Sequence, residues 1–81
     1  MFYSGLIVTC QVGQFDSVGQ SLSRLAVEVH QSDKASNRYV VVLEESSVEA
    51  ETDRFRSIRE LPGVAEVNLV VHRSEPDTLN N

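Results

Sequence analysis

The stretch RYVVVLEE, Arg38 to Glu45, constrains the fold more than any other part of the chain. A strand alternates its side chains between two faces, so Tyr39, Val41 and Leu43 point one way while Val40, Val42 and Glu44 point the other. Both faces are then largely apolar. A chain of 81 residues is one domain with a modest core, able to cover only one face of a sheet. What the second face is for becomes the functional question.

The remaining patterns supply the partners of that strand. YSGLIVTCQV, Tyr3 to Val12, reads as a first strand with Leu6, Val8, Cys10 and Val12 on one face and Gly5, Ile7, Thr9 and Gln11 on the other. In GQFDSVGQSLSRL, the residues Phe15, Val18, Leu22 and Leu25 recur at helical spacing, which predicts a first helix weakened by Gly19 and its polar neighbours. AVEVHQSD alternates as a half-buried edge strand, Val27 and Val29 inward and Glu28 and His30 outward, and SDKASN supplies the turn into RYVVVLEE.

SSVE fits a capping box with Ser46 as N-cap and Glu49 three positions on. A second helix is predicted from about Ser47 to Leu61, burying Val48, Phe55, Ile58 and Leu61 and showing Glu51, Asp53, Arg56, Arg59 and Glu60 mostly to water; Pro62 and Gly63 stop it. VAEVNLVVH is the last strand, with Ala65, Val67, Leu69 and Val71 inward and Glu66, Asn68, Val70 and His72 outward. Residues 1–73 form the domain, and 74–81 read as a flexible polar tail.

The order β-α-β-β-α-β predicts an α+β, ferredoxin-like fold: a four-stranded antiparallel sheet carrying both helices on one face. Strands one and three are expected at its centre as a parallel pair, linked through right-handed crossovers. Leu6, Val8, Val41, Leu43, Val67 and Leu69 then form the core. The opposite face carries Ile7, Thr9, Val40, Val42 and Val70, fringed by Glu28, Glu44 and Glu66 with Asn68, His30 and His72. An apolar strip with an acidic fringe complements an apolar segment that carries basic residues. Its four aliphatic side chains offer about 6 to 12 kcal/mol gross. Association costs about 4 to 15 kcal/mol, so charge pairs or backbone hydrogen bonds must contribute. β-Branched residues are also simply good strand formers, and a homodimer closing sheet on sheet would use the same strip.

Other functions meet obstacles in the residues. Seven basic against twelve acidic side chains give a formal charge of -5, which repels nucleic acid and anionic lipid at long range and attracts basic partners. No run has the length of a transmembrane helix and no basic segment precedes an apolar one at the N-terminus, so a cytoplasmic protein is expected. Single Cys10 allows no internal disulfide and offers no CxxC or Cys/His spacing, so neither metal nor cofactor is expected. Catalysis is not expected either: there is no GxSxG elbow, and His30 and His72 fall on opposite edge strands. RNA-recognition domains of this topology stack bases on central-strand aromatics, where this chain has Ile7, Thr9, Val40 and Val42. Heavy-metal-associated domains need paired cysteines, and acylphosphatases an Arg in the first loop, which QVGQFDS lacks. An ACT-like small-molecule-binding regulatory domain stays open as the alternative, because such domains carry little fixed motif.

SGLIVTCQV, VEVHQSD leading into RYVVVLEE, and IRELPGVAEVNLVVH before an acidic tail together resemble the NapD family in order, spacing and total length. The resemblance implies a cytoplasmic assembly chaperone, not an enzyme, that binds the twin-arginine signal peptide of the periplasmic nitrate reductase catalytic subunit and restrains export until cofactor loading. A basic n-region followed by an apolar stretch suits the strip and its fringe. The expected signal-peptide-binding residues are Ile7, Thr9, Glu28, Val40, Val42, Glu44, Glu66, Val70 and His72. The chain departs from the family pattern in two places: RLAVEVH lacks a PGV turn before the second strand, and Val71 stands where a Tyr often precedes the final His.

Overall fold

A computed structural model describes residues 1–25 and 27–74, with the backbone alone at Ser74. The elements are β1 (Phe2–Cys10), α1 (Phe15–Ser23), β2 (Glu28–Asp33), β3 (Arg38–Glu45), α2 (Val48–Arg59) and β4 (Val64–Ser74). They form one four-stranded sheet in the order β2-β3-β1-β4. The fold is the ferredoxin-like β-α-β-β-α-β arrangement. Ser74 closes β4, and the rest of the expected tail, 75–81, lies outside the described residues.

One pairing corrects the expectation. β1 and β3 are adjacent but antiparallel, as are β1 with β4 and β2 with β3. The β2–β3 hairpin reverses the chain, so each crossover skips a strand: β1 and β2 flank β3, and β3 and β4 flank β1. The parallel relations lie between next-nearest neighbours.

The core sits between the sheet and the helices. Leu6, Val8 and Cys10 from β1, Tyr39, Val41 and Leu43 from β3, Val18 and Leu22 from α1, Ile58 from α2 and Val64 from β4 are buried together. The β1 members are alternate residues, the β3 members are their alternate cross-strand neighbours, and all lie on one face, so both helices cover that face. Tyr39 ties α1 to the sheet: its ring stacks on Phe15 at 4.3 Å between centroids and its hydroxyl donates to the Phe15 carbonyl at 2.7 Å. Arg54 of α2 reaches the Glu45 carboxylate at 3.3 Å and donates to the Leu25 carbonyl, joining α2, β3 and the turn after α1.

α2 begins one residue later than its sequence suggests. Ser47, in extended backbone, is the N-cap and its hydroxyl accepts from the Ala50 N–H at 3.0 Å. Glu49 therefore cannot close a capping box with Ser46. Val48, expected inside, is 55% exposed in the first turn. Glu51, expected in water, is only 8% exposed and faces the sheet. Gly63, at φ +90, makes the left-handed turn after Pro62 that leads into β4.

Three register shifts matter for the site. Within β4, Ala65 is extra opposite Thr9 and Cys10, and Val70 is extra opposite Gly5 and Leu6; in β2, His30 is extra opposite Val40 and Val41. An extra residue breaks the alternation, so whatever follows a bulge changes face relative to a regular strand.

Candidate functional site

Cross-strand partners share a face, so the register maps the side of the sheet that the helices leave bare. One row runs Glu44, Tyr3, Arg73, and the next Glu28, Val42, Gly5, Val71. The third is Gln31, Val40, Ile7, Asn68, and the fourth Asp33, Arg38, Thr9, Glu66. The two middle rows hold an apolar patch of Val42, Val40, Ile7 and Val71. Polar and charged side chains surround it.

Seven of the nine expected residues fall on this face: Ile7, Thr9, Glu28, Val40, Val42, Glu44 and Glu66. Their acidic members divide. Glu28 stands opposite Val42 and Glu44 lies two residues further along β3, which makes the two residues diagonal neighbours with backbone positions about 7–8 Å apart. Glu66 occupies the opposite corner, where its carboxylate accepts from the Asn68 amide at 2.7 Å. Val70 is the bulged residue and is 58% exposed at the sheet edge.

His72 is not on this face. The bulge at Val70 turns Val71 outward, beside Gly5, and His72 inward opposite Ser4. There the imidazole stacks on Phe2, and its Nδ1 lies 3.3 Å from both Glu51 Oε2 and Ser4 Oγ. Six face residues escaped the sequence reading. Tyr3, Arg38, Gln31 and Asp33 border the patch, and strand parity alone could have found Tyr3 and Arg38. Val71 and Arg73 join it only because of the bulge, which has no signature in VAEVNLVVH.

The inward turn of His72 builds a second feature, between α2 and β4. A cleft of about 320 Å³ is walled by Leu43, Phe55 and Leu69, with Ser4, Glu51 and His72 as its polar part. Leu69, expected in the core, is 53% exposed here because β4 is an edge strand. Ser4 Oγ donates to the Glu51 carboxylate, the same oxygen that His72 approaches. In a hydrolytic triad the hydroxyl gives its proton to the imidazole; here it is turned to the carboxylate and both groups meet one ring nitrogen. These polar groups satisfy one another, whereas no element among the described residues covers the apolar patch of the open face. The open face thus offers uncovered apolar area, while the polar groups of the cleft are already paired.

No other reactive arrangement competes among the described residues. Cys10 faces the core, and burial pushes its thiol pKa up, away from the nucleophilic thiolate. No three His, Cys, Asp or Glu side chains of the described residues gather where they could hold a metal ion.

Known proteins agree with this architecture. A model of the NapD protein family matches residues 3–76. Among solved structures, the E. coli Tat proofreading chaperone protein NapD, determined in solution, superposes with a TM-score of 0.80 at 26% sequence identity, over 99% of this chain and 86% of that one. No curated protein sequence matches the chain. With the family match running over almost its whole length and its fold shared, the chain belongs to the NapD family.

Proposed function

We propose that this protein is a Tat proofreading chaperone that binds the twin-arginine signal peptide of the periplasmic nitrate reductase catalytic subunit in the cytoplasm and restrains its export until the cofactor is in place. The observation that carries the reading is the bare sheet face, an apolar patch with two carboxylates at one corner, in a chain of this family. The peptide's apolar stretch lies over Ile7, Val40, Val42 and Val71. Its arginines meet Glu28 and Glu44. The backbone groups of the central strands are spent in the ladder, so a peptide on this face has to satisfy its own, which a helix does. The protein acts by binding, and no turnover is needed.

Calorimetric titration with a synthetic nitrate reductase leader tests the reading. One-to-one binding is expected, weakened about tenfold or more by Val42→Lys, equivalent to about 1.4 kcal/mol. The new ammonium stands opposite Glu28, so the fold should keep its stability while the patch gains a charge that repels arginine. A folded protein that ignores the leader, or a Val42→Lys variant that binds it unchanged, would overturn the assignment.

A further inference from the structure

Gly5 stands in the middle of β1, a central strand of the sheet, and nothing in the fold asks for a glycine there. Its φ is not positive, and it pairs with Val42 on one side and Val71 on the other. Among the described residues, a Cβ built on it would meet only the Val71 Cβ, at 3.7 Å, an ordinary contact. The other three glycines each serve the structure: Gly13 and Gly63 have positive φ, and a Cβ on Gly19 would collide with the Tyr39 hydroxyl. The neighbouring bulge does not explain Gly5 either, since its extra residue, Val70, belongs to β4.

A glycine inside a strand weakens pairing and gives up a side chain, and where it is not used for a bend or a bulge it marks close approach by something else. Gly5 lies on the uncovered face. Its missing side chain leaves a hollow at the centre of the apolar patch, walled along the strand by Tyr3 and Ile7 and across it by Val42 and Val71. The walls are mostly apolar, and the nearby carboxylates of Glu28 and Glu44 favour a basic flank in whatever docks.

We infer that Gly5 is a specificity-determining position: the hollow over its backbone receives one apolar side chain from the apolar stretch of a basic, apolar peptide. The inference rests on the proposed peptide-binding role and adds a steric element to it. The seated side chain fixes the register of the peptide along the face, and its size decides which peptides fit.

Gly5→Ala and Gly5→Val fill the hollow by one and three carbons. The readout pairs thermal unfolding with calorimetric titration by the synthetic nitrate reductase leader. Because the fold has room for the Cβ and strands favour both substitutions, Gly5→Ala should melt at or above the wild-type temperature. Its affinity should fall about tenfold or more, and further in Gly5→Val if that variant folds, because an overfilled socket forces the peptide off the face. Alanine scanning of the leader's apolar stretch should find one position that matters for wild type and no longer matters for Gly5→Ala.

The failures separate. If the wild-type protein does not bind the leader, the peptide-binding role falls and the hollow falls with it as a peptide subsite. If wild type binds and Gly5→Ala binds equally well, the role stands and the hollow is overturned. If Gly5→Ala melts markedly lower, Gly5 serves the fold and the inference is likewise overturned.

Discussion

Tyr39 concentrates several constraints in one side chain. It is buried on the helix side of β3, its hydroxyl donates to the Phe15 carbonyl, and Gly19 leaves the space the hydroxyl occupies. Burial raises the phenol pKa above its ordinary value, since a phenolate there would lose its hydration, and the charges of Cys10 and Asp16 act in the same direction. A raised pKa means that the folded protein holds this proton more tightly than the unfolded chain does. The associated stability is complete below the ordinary tyrosine value of about 10 and is lost as pH rises through the folded value. Urea unfolding followed from pH 7 to 11 should therefore show stability declining at the alkaline end, less steeply in Tyr39→Phe. At neutral pH that variant should lose about 1 kcal/mol with the hydrogen bond. An unchanged alkaline slope would assign the decline to Cys10, whose thiol burial shifts in the same direction. Glu51 shows the limit of residue-level reading. Its charge predicts exposure, yet the Ser4 hydroxyl and the His72 ring, from strands distant in sequence, make a buried carboxylate tolerable.

At the scale of elements, apolar periodicity reports which segments are helices and strands because each must bury one face. Val18 and Leu22 of α1 and Ile58 of α2 lie where their spacing puts them. Position along an element is less legible. Ser46 and Ser47 are adjacent and chemically identical, and only the path of the backbone chooses Ser47 as the cap. Ser47→Ala should cost about 1 kcal/mol in a denaturant titration, and Ser46→Ala only a few tenths; the reverse order would place the cap where SSVE suggests. Bulges are less legible still. Nothing in VAEVNLVVH separates a regular strand from one with an extra residue, yet the insertion at Val70 moves His72 from the open face to the α2 cleft and brings Val71 to the patch beside Gly5. Before that bulge, the face assignments of β1 and β3 follow from alternation alone, so Ile7, Thr9, Val40, Val42 and Glu44 could be placed without a structure. The antiparallel pairing of β1 with β3 follows from counting chain reversals through the hairpin, which the local pattern of either strand does not contain.

The whole molecule adds a field that no single contact supplies. Its formal charge of -5 attracts a basic peptide before any contact forms, while the apolar patch acts only after docking. The two contributions fall on different rate constants. Screening shortens the reach of the field from about 30 Å at 0.01 M salt to about 3 Å at 1 M, so added salt should slow association with the leader. Dissociation depends on leaving the patch and the hollow at Gly5, which salt touches far less. Stopped-flow measurements across that range should give an association rate that falls about tenfold or more, with a dissociation rate changed less than about threefold. Gly5→Ala should reverse the pattern, accelerating dissociation at an almost unchanged association rate, because affinity differences among variants of one interface lie mostly in the off-rate. Substituting Gln for both Glu28 and Glu44 should reduce the salt dependence of association and leave the effect of Gly5→Ala intact, since the acidic corner and the hollow act at different stages. Equal salt sensitivity of both rates would mean that the carboxylates hold the bound peptide and do not merely guide it in, and the apolar patch would then be the lesser part of the site.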